Sequence, residues 1–292
     1  MDRKAQTTAL LTEFVERSML AARVMLRPVK ATQLNLGDVD GAVLDVVEPV
    51  FVLSTGRCGT KWLTELLAHD SALRVNHSDH PELLRESRMA YERYAGEPDL
   101  FHEIVRTARD GYLLDAHIRG MRYVETNHRI TFLAPAALRV YPRARFVHLV
   151  RNPGDFVRSG VRRRWYSGSY YDLARPTMAD AEAWQRASTV ERLAWLWNET
   201  QSFIEDFVAE LPDSRVMRIR SEDMFSDLEA TAGLCDFIGA RIGRRAIGRM
   251  HQRRVNVQHG GPRAPFERWS AAEREAVRRQ VPLAERYGYI LP

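Results

Sequence analysis

The stretch from Pro49 to Leu67 constrains this chain more than any other. It opens with an uninterrupted apolar run rich in β-formers, Pro49-Val50-Phe51-Val52-Leu53. Such a run predicts a strand buried on both faces of a parallel sheet. Ser54-Thr55-Gly56-Arg57-Cys58-Gly59-Thr60-Lys61 follows at once, and then Trp62, Leu63, Leu66 and Leu67 at helical spacing. A strand, a glycine turn and a helix in this order gather helix N–H groups around an anion. Gly56 and Gly59 let the backbone curl towards the oxygens, while Arg57 and Lys61 supply positive charge. The turn is not a Walker loop, G-x-x-x-x-G-K-[ST], because Lys61 is followed by Trp62 and the magnesium-holding hydroxyl is missing. Taken alone, the segment fits an anion site and a plain tight turn equally well.

Further strands are expected at Tyr112 to His117, Arg145 to Val150 and Arg215 to Ile219, separated by helical sequence. Leu193, Leu196, Trp197, Ile204, Phe207, Val208 and Leu211 form one stripe of a long helix. Capping boxes at Ser226/Glu229 and Ser270/Glu273 predict two more helix starts, the first helix ending at Gly239. Residues 8 to 26 also read as a helix. Strands alternating with helices predict an α/β fold, a central parallel β-sheet flanked by helices, with ligands bound beyond the carboxyl ends of the strands.

Composition narrows the function. With 292 residues and 45% hydrophobic content the chain can bury a full core. No apolar run approaches the ~20 residues of a membrane span, and the first residues carry no signal-peptide core. Cys58 and Cys235 cannot build a disulfide framework or a zinc site. The expectation is therefore a soluble, cytoplasmic protein without a metal. A net charge of +5 invites a nucleic-acid reading, but 38 acidic residues are spread throughout and no basic arm is present. Only Lys4, Lys30 and Lys61 are lysines, so one of three lies in the glycine turn.

A second element bears on the turn. The strand Arg145-Phe146-Val147-His148-Leu149-Val150 ends in Arg151-Asn152-Pro153-Gly154-Asp155-Phe156-Val157-Arg158-Ser159. Pro153 suits the first turn of a helix, so Arg151 projects from the strand's carboxyl end and Ser159 lies about two turns on. A guanidinium fork and a hydroxyl arriving from two places can grip one phosphate.

Together the two elements resemble the sulfotransferases that use 3′-phosphoadenosine 5′-phosphosulfate (PAPS). Arg57-Cys58-Gly59-Thr60-Lys61-Trp62 is similar to their first motif, and Arg151 to Ser159 matches their R-x-P-x-D-x-x-x-S at full spacing. Arg220-Ser221-Glu222-Asp223-Met224 looks like the family's E-D segment. The stretch from Gly260 to Trp269, followed by Ser270 to Glu273, resembles its C-terminal loop and last helix. The resemblance covers residues 49–292, giving a P-loop-like sulfotransferase domain preceded by an N-terminal helical extension, residues 1–48. It implies that Thr55, Gly56, Arg57, Cys58, Gly59, Thr60 and Lys61 bind the 5′-phosphosulfate, with Arg57 or Lys61 stabilising the departing phosphate. Arg151 and Ser159 would bind the 3′-phosphate, and Trp62 would lie near the adenine. Cys58 stands where Ser is frequent and Lys61 where Thr is common.

Sulfuryl transfer to a hydroxyl or amine needs a base. The family resemblance points to His77, with His80 in the same segment, or to His117 at the end of the strand expected over 112–117; Glu82 and Glu125 are weaker candidates. Acceptor specificity is expected in residues 83 to 130 and 161 to 185, where Arg162-Arg163-Arg164-Trp165-Tyr166 and Tyr170-Tyr171 form a basic-aromatic patch. The implied activity is transfer of a sulfuryl group to a small molecule or carbohydrate. The rivals are a nucleotide-dependent kinase and a nucleotide-binding module without catalysis.

Overall fold

The computed structural model describes residues 42–253, 255 and 264–292, all within one compact unit. The helix expected over 8 to 26 and the glycines at 260 and 261 lie outside the described residues. Five strands make one fully parallel sheet: β1 (Val50–Leu53), β2 (Leu73–Asn76), β3 (Arg122–Glu125), β4 (Arg145–Val150) and β5 (Val216–Arg220), in the order β2-β3-β1-β4-β5. The helices are α1 (Ala42–Val46), α2 (Thr60–Leu67), α3 (Leu84–Arg93), α4 (Pro98–Ile118), α5 (Ala134–Val140) and α6 (Pro153–Arg162). They continue with α7 (Ala181–Arg186), α8 (Thr189–Val208), α9 (Ser221–Ser226), α10 (Leu228–Ile238), α11 (Arg244–His251) and α12 (Ala271–Gln280).

β1 shows why the sheet must be covered twice. All four of its residues are buried; Phe51 and Leu53 join the core under α4 and α5, while Val50 and Val52 join Leu63, Leu66 and Leu67 of α2 on the opposite face. A third apolar cluster packs Phe156 and Val157 of α6 against Leu193 and Trp197 of α8 and the C-terminal Tyr287 and Tyr289. β1 therefore lies at the centre, with β3 on one side and β4 on the other. From β1 the chain goes out to β2 and back through β3, then crosses to β4, so the topological switch falls at the carboxyl end of β1, where such sheets bind ligands.

Several expectations need correction. Residues 112 to 117 are not a strand but the last turns of α4, where Phe101, Val105, Ala108, Leu113 and Ala116 recur at helical spacing on its buried side. A six-residue apolar-rich window does not separate the two periodicities. The strands that flank β1 on that side, β2 and β3, are four residues each, and β2 and the first position of β3 are only partly apolar. The cap of α10 is Asp227, whose carboxylate accepts from the N–H groups of Glu229 and Ala230. Ser226 closes α9 instead, its hydroxyl donating to the Glu222 carbonyl. Ser270 with Glu273 does form the expected box at α12, and β5 begins one residue later than expected.

Candidate active site

The turn after β1 is held in an unusual backbone shape. Gly56, Arg57 and Gly59 all have positive φ, at 74°, 60° and 89°. Neither glycine could carry a side chain: a Cβ on Gly56 would lie 2.8 Å from the His128 ring, and one on Gly59 would lie 2.3 Å from the Phe225 ring. The turn feeds α2, whose N-cap is Gly59 and which has no side-chain cap. Its first N–H groups thus face the turn as free donors, the arrangement that suits an anion. The Thr131 hydroxyl donates to the Ser54 carbonyl and accepts from the Ser54 N–H, both at 3.0 Å, tying the turn to the 3₁₀ segment His128–Leu133. Cys58 is wholly buried, its thiol 3.2 Å from the Thr55 hydroxyl, and burial pushes it up to about 11. It fills the turn as a neutral thiol.

On the β4 side the second element reaches this turn directly. Asn152 caps α6 by accepting from the Asp155 N–H, and Pro153 occupies the first turn as expected. Arg151 Nη1 donates to the Arg57 carbonyl at 2.5 Å, and Arg57 Nε donates to the Ser159 hydroxyl at 3.1 Å. The β4–α6 corner is pinned from behind: Trp197 donates to the Arg151 carbonyl at 2.8 Å, and Glu222 accepts from the Asn152 N–H at 3.0 Å and the Tyr289 hydroxyl at 2.7 Å. The E-D segment is therefore a brace for this corner. Burial first, and then Arg163, Arg151 and Arg162, lower the Arg57 guanidinium to about 10. It stays charged at neutral pH, in a place short of negative charge.

On the β3 side two imidazoles approach. His77 follows β2; its Nδ1 lies 3.1 Å from the Thr126 hydroxyl, which also reaches the Asn76 carbonyl at 3.1 Å and the Thr64 hydroxyl of α2 at 2.8 Å. Burial, then Lys61, lowers His77 to about 4. His128, which the sequence reading missed, sits against Gly56, and burial followed by Arg129 and Arg175 holds it well below the usual histidine value. Both rings are neutral at pH 7 and able to accept a proton. Its only sequence signal is the run Glu125-Thr126-Asn127-His128 at the end of a strand too short to recognise.

The other candidates fall elsewhere. His80 is exposed, its carbonyl accepting from the Tyr112 hydroxyl at 2.7 Å. His117 lies in the last turn of α4, lining a cavity with Glu48, Pro49 and Arg122 at the amino ends of β1 and β3, opposite to the turn. Glu125 is committed to Arg109 at 2.7 Å, Tyr123 at 2.5 Å and Asn76 at 3.1 Å, a buried network that ties β2 and β3 to α4. Glu82 is ion-paired with Arg129. Trp62 is buried, its ring stacked on His251 at 5.7 Å, edge-on to Phe225 at 5.4 Å, and its N–H donated to the Met250 carbonyl. Phe225, 37% exposed, is the open aromatic surface beside Gly59. Among the described residues no group of three potential metal ligands occurs, and no helix is long and apolar enough to cross a membrane.

The architecture is that of known sulfotransferase domains. The domain of the curacin biosynthetic pathway matches with a TM-score of 0.51 at 17% identity, over 85% of this chain and 99% of that one. The domain of the Synechococcus PCC 7002 olefin synthase matches with a TM-score of 0.50 at 17% identity, over 85% and 98%. Among curated proteins no sequence matches this chain. The model of the sulfotransferase family matches residues 49–242, which span the glycine turn, the β4–α6 corner and the E-D brace. Since that match takes in well over half of the 292 residues, the chain belongs to the sulfotransferase family.

Proposed function

We propose that the protein transfers a sulfuryl group from PAPS to a hydroxyl of a small molecule or carbohydrate, in a domain comprising residues 49–292. The observation that carries this reading is the meeting of the β1 turn with the β4–α6 corner, through Arg151 on the Arg57 carbonyl at 2.5 Å and Arg57 on Ser159 at 3.1 Å. Two cationic elements this close suit a ligand with phosphates at both ends of one nucleoside. The fit is supported by the uncapped start of α2 and by the excess of guanidinium groups around Arg57.

When bound, PAPS supplies an activated sulfuryl group on a bisphosphate leaving group. Arg57, Lys61 and the first N–H groups of α2 would hold the 5′ end and offset the charge that grows there as the bond to sulfur breaks. This is electrostatic stabilisation of a transfer, by analogy with phosphoryl chemistry. Arg151 would take the 3′-phosphate in a forked contact, with Ser159 adding a hydrogen bond. Phe225 offers a ring face for the adenine. His128, packed on the turn, would take the acceptor's proton. Its basicity is depressed partly by neighbouring cations, so a polyanionic donor would raise it towards the range where a general base works best. His77 stands by as the second imidazole. With the Thr126 hydroxyl donating to the Asn76 carbonyl, His77 Nδ1–H donates to Thr126 and leaves Nε2 free to accept.

Calorimetric titration with adenosine 3′,5′-bisphosphate tests the donor class without knowledge of the acceptor. Saturable binding without magnesium is the expected outcome. Absence of binding, together with magnesium-dependent turnover of ATP, would establish the kinase rival instead.

A further inference from the structure

The transfer just described leaves two arginines on the β3 side without a task. Arg129 follows His128 directly in the chain. Its Nη1 is ion-paired with Glu82, its guanidinium lies 5.9 Å from the centre of the Tyr171 ring, and its side chain is 12% exposed. Its Nε is buried with no hydrogen-bond partner. Arg175, 11% exposed, is bound to Asp172 at 2.7 Å and to the Tyr171 carbonyl at 2.6 Å, and stacks 3.8 Å from the centre of the Trp165 ring. Lys61 has no carboxylate partner among the described residues.

These groups share one surrounding. Arg129, Arg175 and Arg57 all act on His128, and Lys61 and Arg129 act on His77, each by its positive field lowering the ring it faces. Glu82 and Asp172 hold the two arginines in position. A neutral hydroxyl acceptor has no use for this field, and the donor's charge is matched by Arg57, Lys61, Arg151 and α2. A buried N–H donor without a partner in the chain calls for a water or a ligand group to complete it. Tyr171, 53% exposed, and Tyr170, 65% exposed, leave this flank open to solvent.

Building on the sulfuryl-transfer reading, we propose that the acceptor is anionic: it carries a carboxylate or a phosphate besides the hydroxyl that is modified, and Arg129 binds that oxyanion beside His128. In the reaction the acceptor oxygen forms a bond to sulfur while the bond from sulfur to the 5′-phosphate breaks. The hydroxyl proton passes to His128, and adenosine 3′,5′-bisphosphate leaves. Arg129 takes no proton; it selects and orients.

The test uses the full chain saturated with adenosine 3′,5′-bisphosphate, titrated with matched acceptors: 4-hydroxyphenylacetate against its amide, glucuronate against glucose, and glycerol phosphate against glycerol. Transfer of labelled sulfuryl from PAPS to the same compounds runs in parallel. At least one anionic member should bind about tenfold more tightly than its neutral partner, and the pair concerned distinguishes carboxylate from phosphate. Arg129→Gln should abolish that preference while leaving bisphosphate affinity unchanged, and Arg129→Lys should keep part of it. Because Arg129→Gln strands Glu82, the double variant Arg129→Gln/Glu82→Gln removes both charges and separates recognition from folding. Neutral members binding as well as anionic ones, or no anionic member binding at millimolar concentration, overturns the proposal. Failure of the bisphosphate itself to bind would instead strike the donor reading, and this inference with it.

Discussion

On the β4 side of the central turn, Arg151 and Ser159 come from nine consecutive residues and are already locked to the turn by hydrogen bonds of 2.5 and 3.1 Å through Arg57. On the β3 side, His77 comes from the loop after β2 and His128 from the start of the 3₁₀ segment after β3, and neither ring is hydrogen-bonded to the turn. The first flank is a corner braced by Trp197 and Glu222. The second hangs on the buried Arg109–Glu125 pair and the Thr126 hydroxyl. One side is thus a rigid, braced corner and the other a looser pair of imidazoles; on the proposed function the first suits the donor and the second the acceptor.

The comparison breaks first at His128. If the β3 flank is where the proton goes, His128→Ala should lower kcat by about 10²–10⁴-fold while bisphosphate binding, which the proposed function gives to the turn and the β4 flank, stays unchanged. His117→Ala, at the far end of the sheet, should have no effect on kcat. The pH profile sharpens the point. Burial and nearby cations hold His77 at about 4 and His128 well below 6.5. Both are therefore unprotonated over the whole range above pH 6.5 and some way beneath it. The acid limb of kcat/KM for the donor, which reports the free enzyme, should then lie well below pH 6.5. An acid limb at 6.5 or higher, or full activity in His128→Ala, would assign the proton to another group.

The two flanks also differ in how readily the sequence gives them up. β1, the glycine turn and α2 are contiguous, with an apolar strand before the turn, and β4 with the corner from Arg151 to Ser159 follows the same plan, so local pattern and tertiary role coincide. β2 and β3 are four-residue strands in which Arg74, Asn76, Arg122 and Glu125 take half the positions. Their pairing is dictated by β1 and by the Arg109–Glu125 network, contacts between residues far apart in the chain. With β3 hard to recognise, local pattern places a strand in the last turns of α4 and brings His117 forward as a candidate, while His128, just after β3, carries no comparable signal. His77 is legible for a different reason: it lies on the segment that follows the first helix and short β2, close in the chain to the glycine turn.

The next effect in size belongs to the β4 flank. Arg151→Ala removes a guanidinium from the corner, and a hydrogen bond to a charged group is worth about 1.5–3 kcal/mol. Affinity for adenosine 3′,5′-bisphosphate should fall roughly 10- to 100-fold, while that for AMP, which lacks the 3′-phosphate, should change little. Equal losses for both ligands would show that Arg151 acts by holding the Arg57 carbonyl, and so on the shape of the turn, rather than on a phosphate of its own.

Ser159→Ala gives the smallest effect and the finest distinction. The Ser159 hydroxyl accepts from Arg57 Nε, which leaves its own proton free to donate to a phosphate between the two arginines. A neutral hydrogen bond of this kind contributes about 0.5–1.5 kcal/mol, so bisphosphate affinity should drop by a factor of about 2–10, less than for Arg151→Ala. If the loss instead matches that of Arg151→Ala while turnover falls as well, Ser159 works mainly by aiming Arg57. The corner and the turn would then form one coupled unit, best measured by the Arg57→Ala/Ser159→Ala double-mutant cycle.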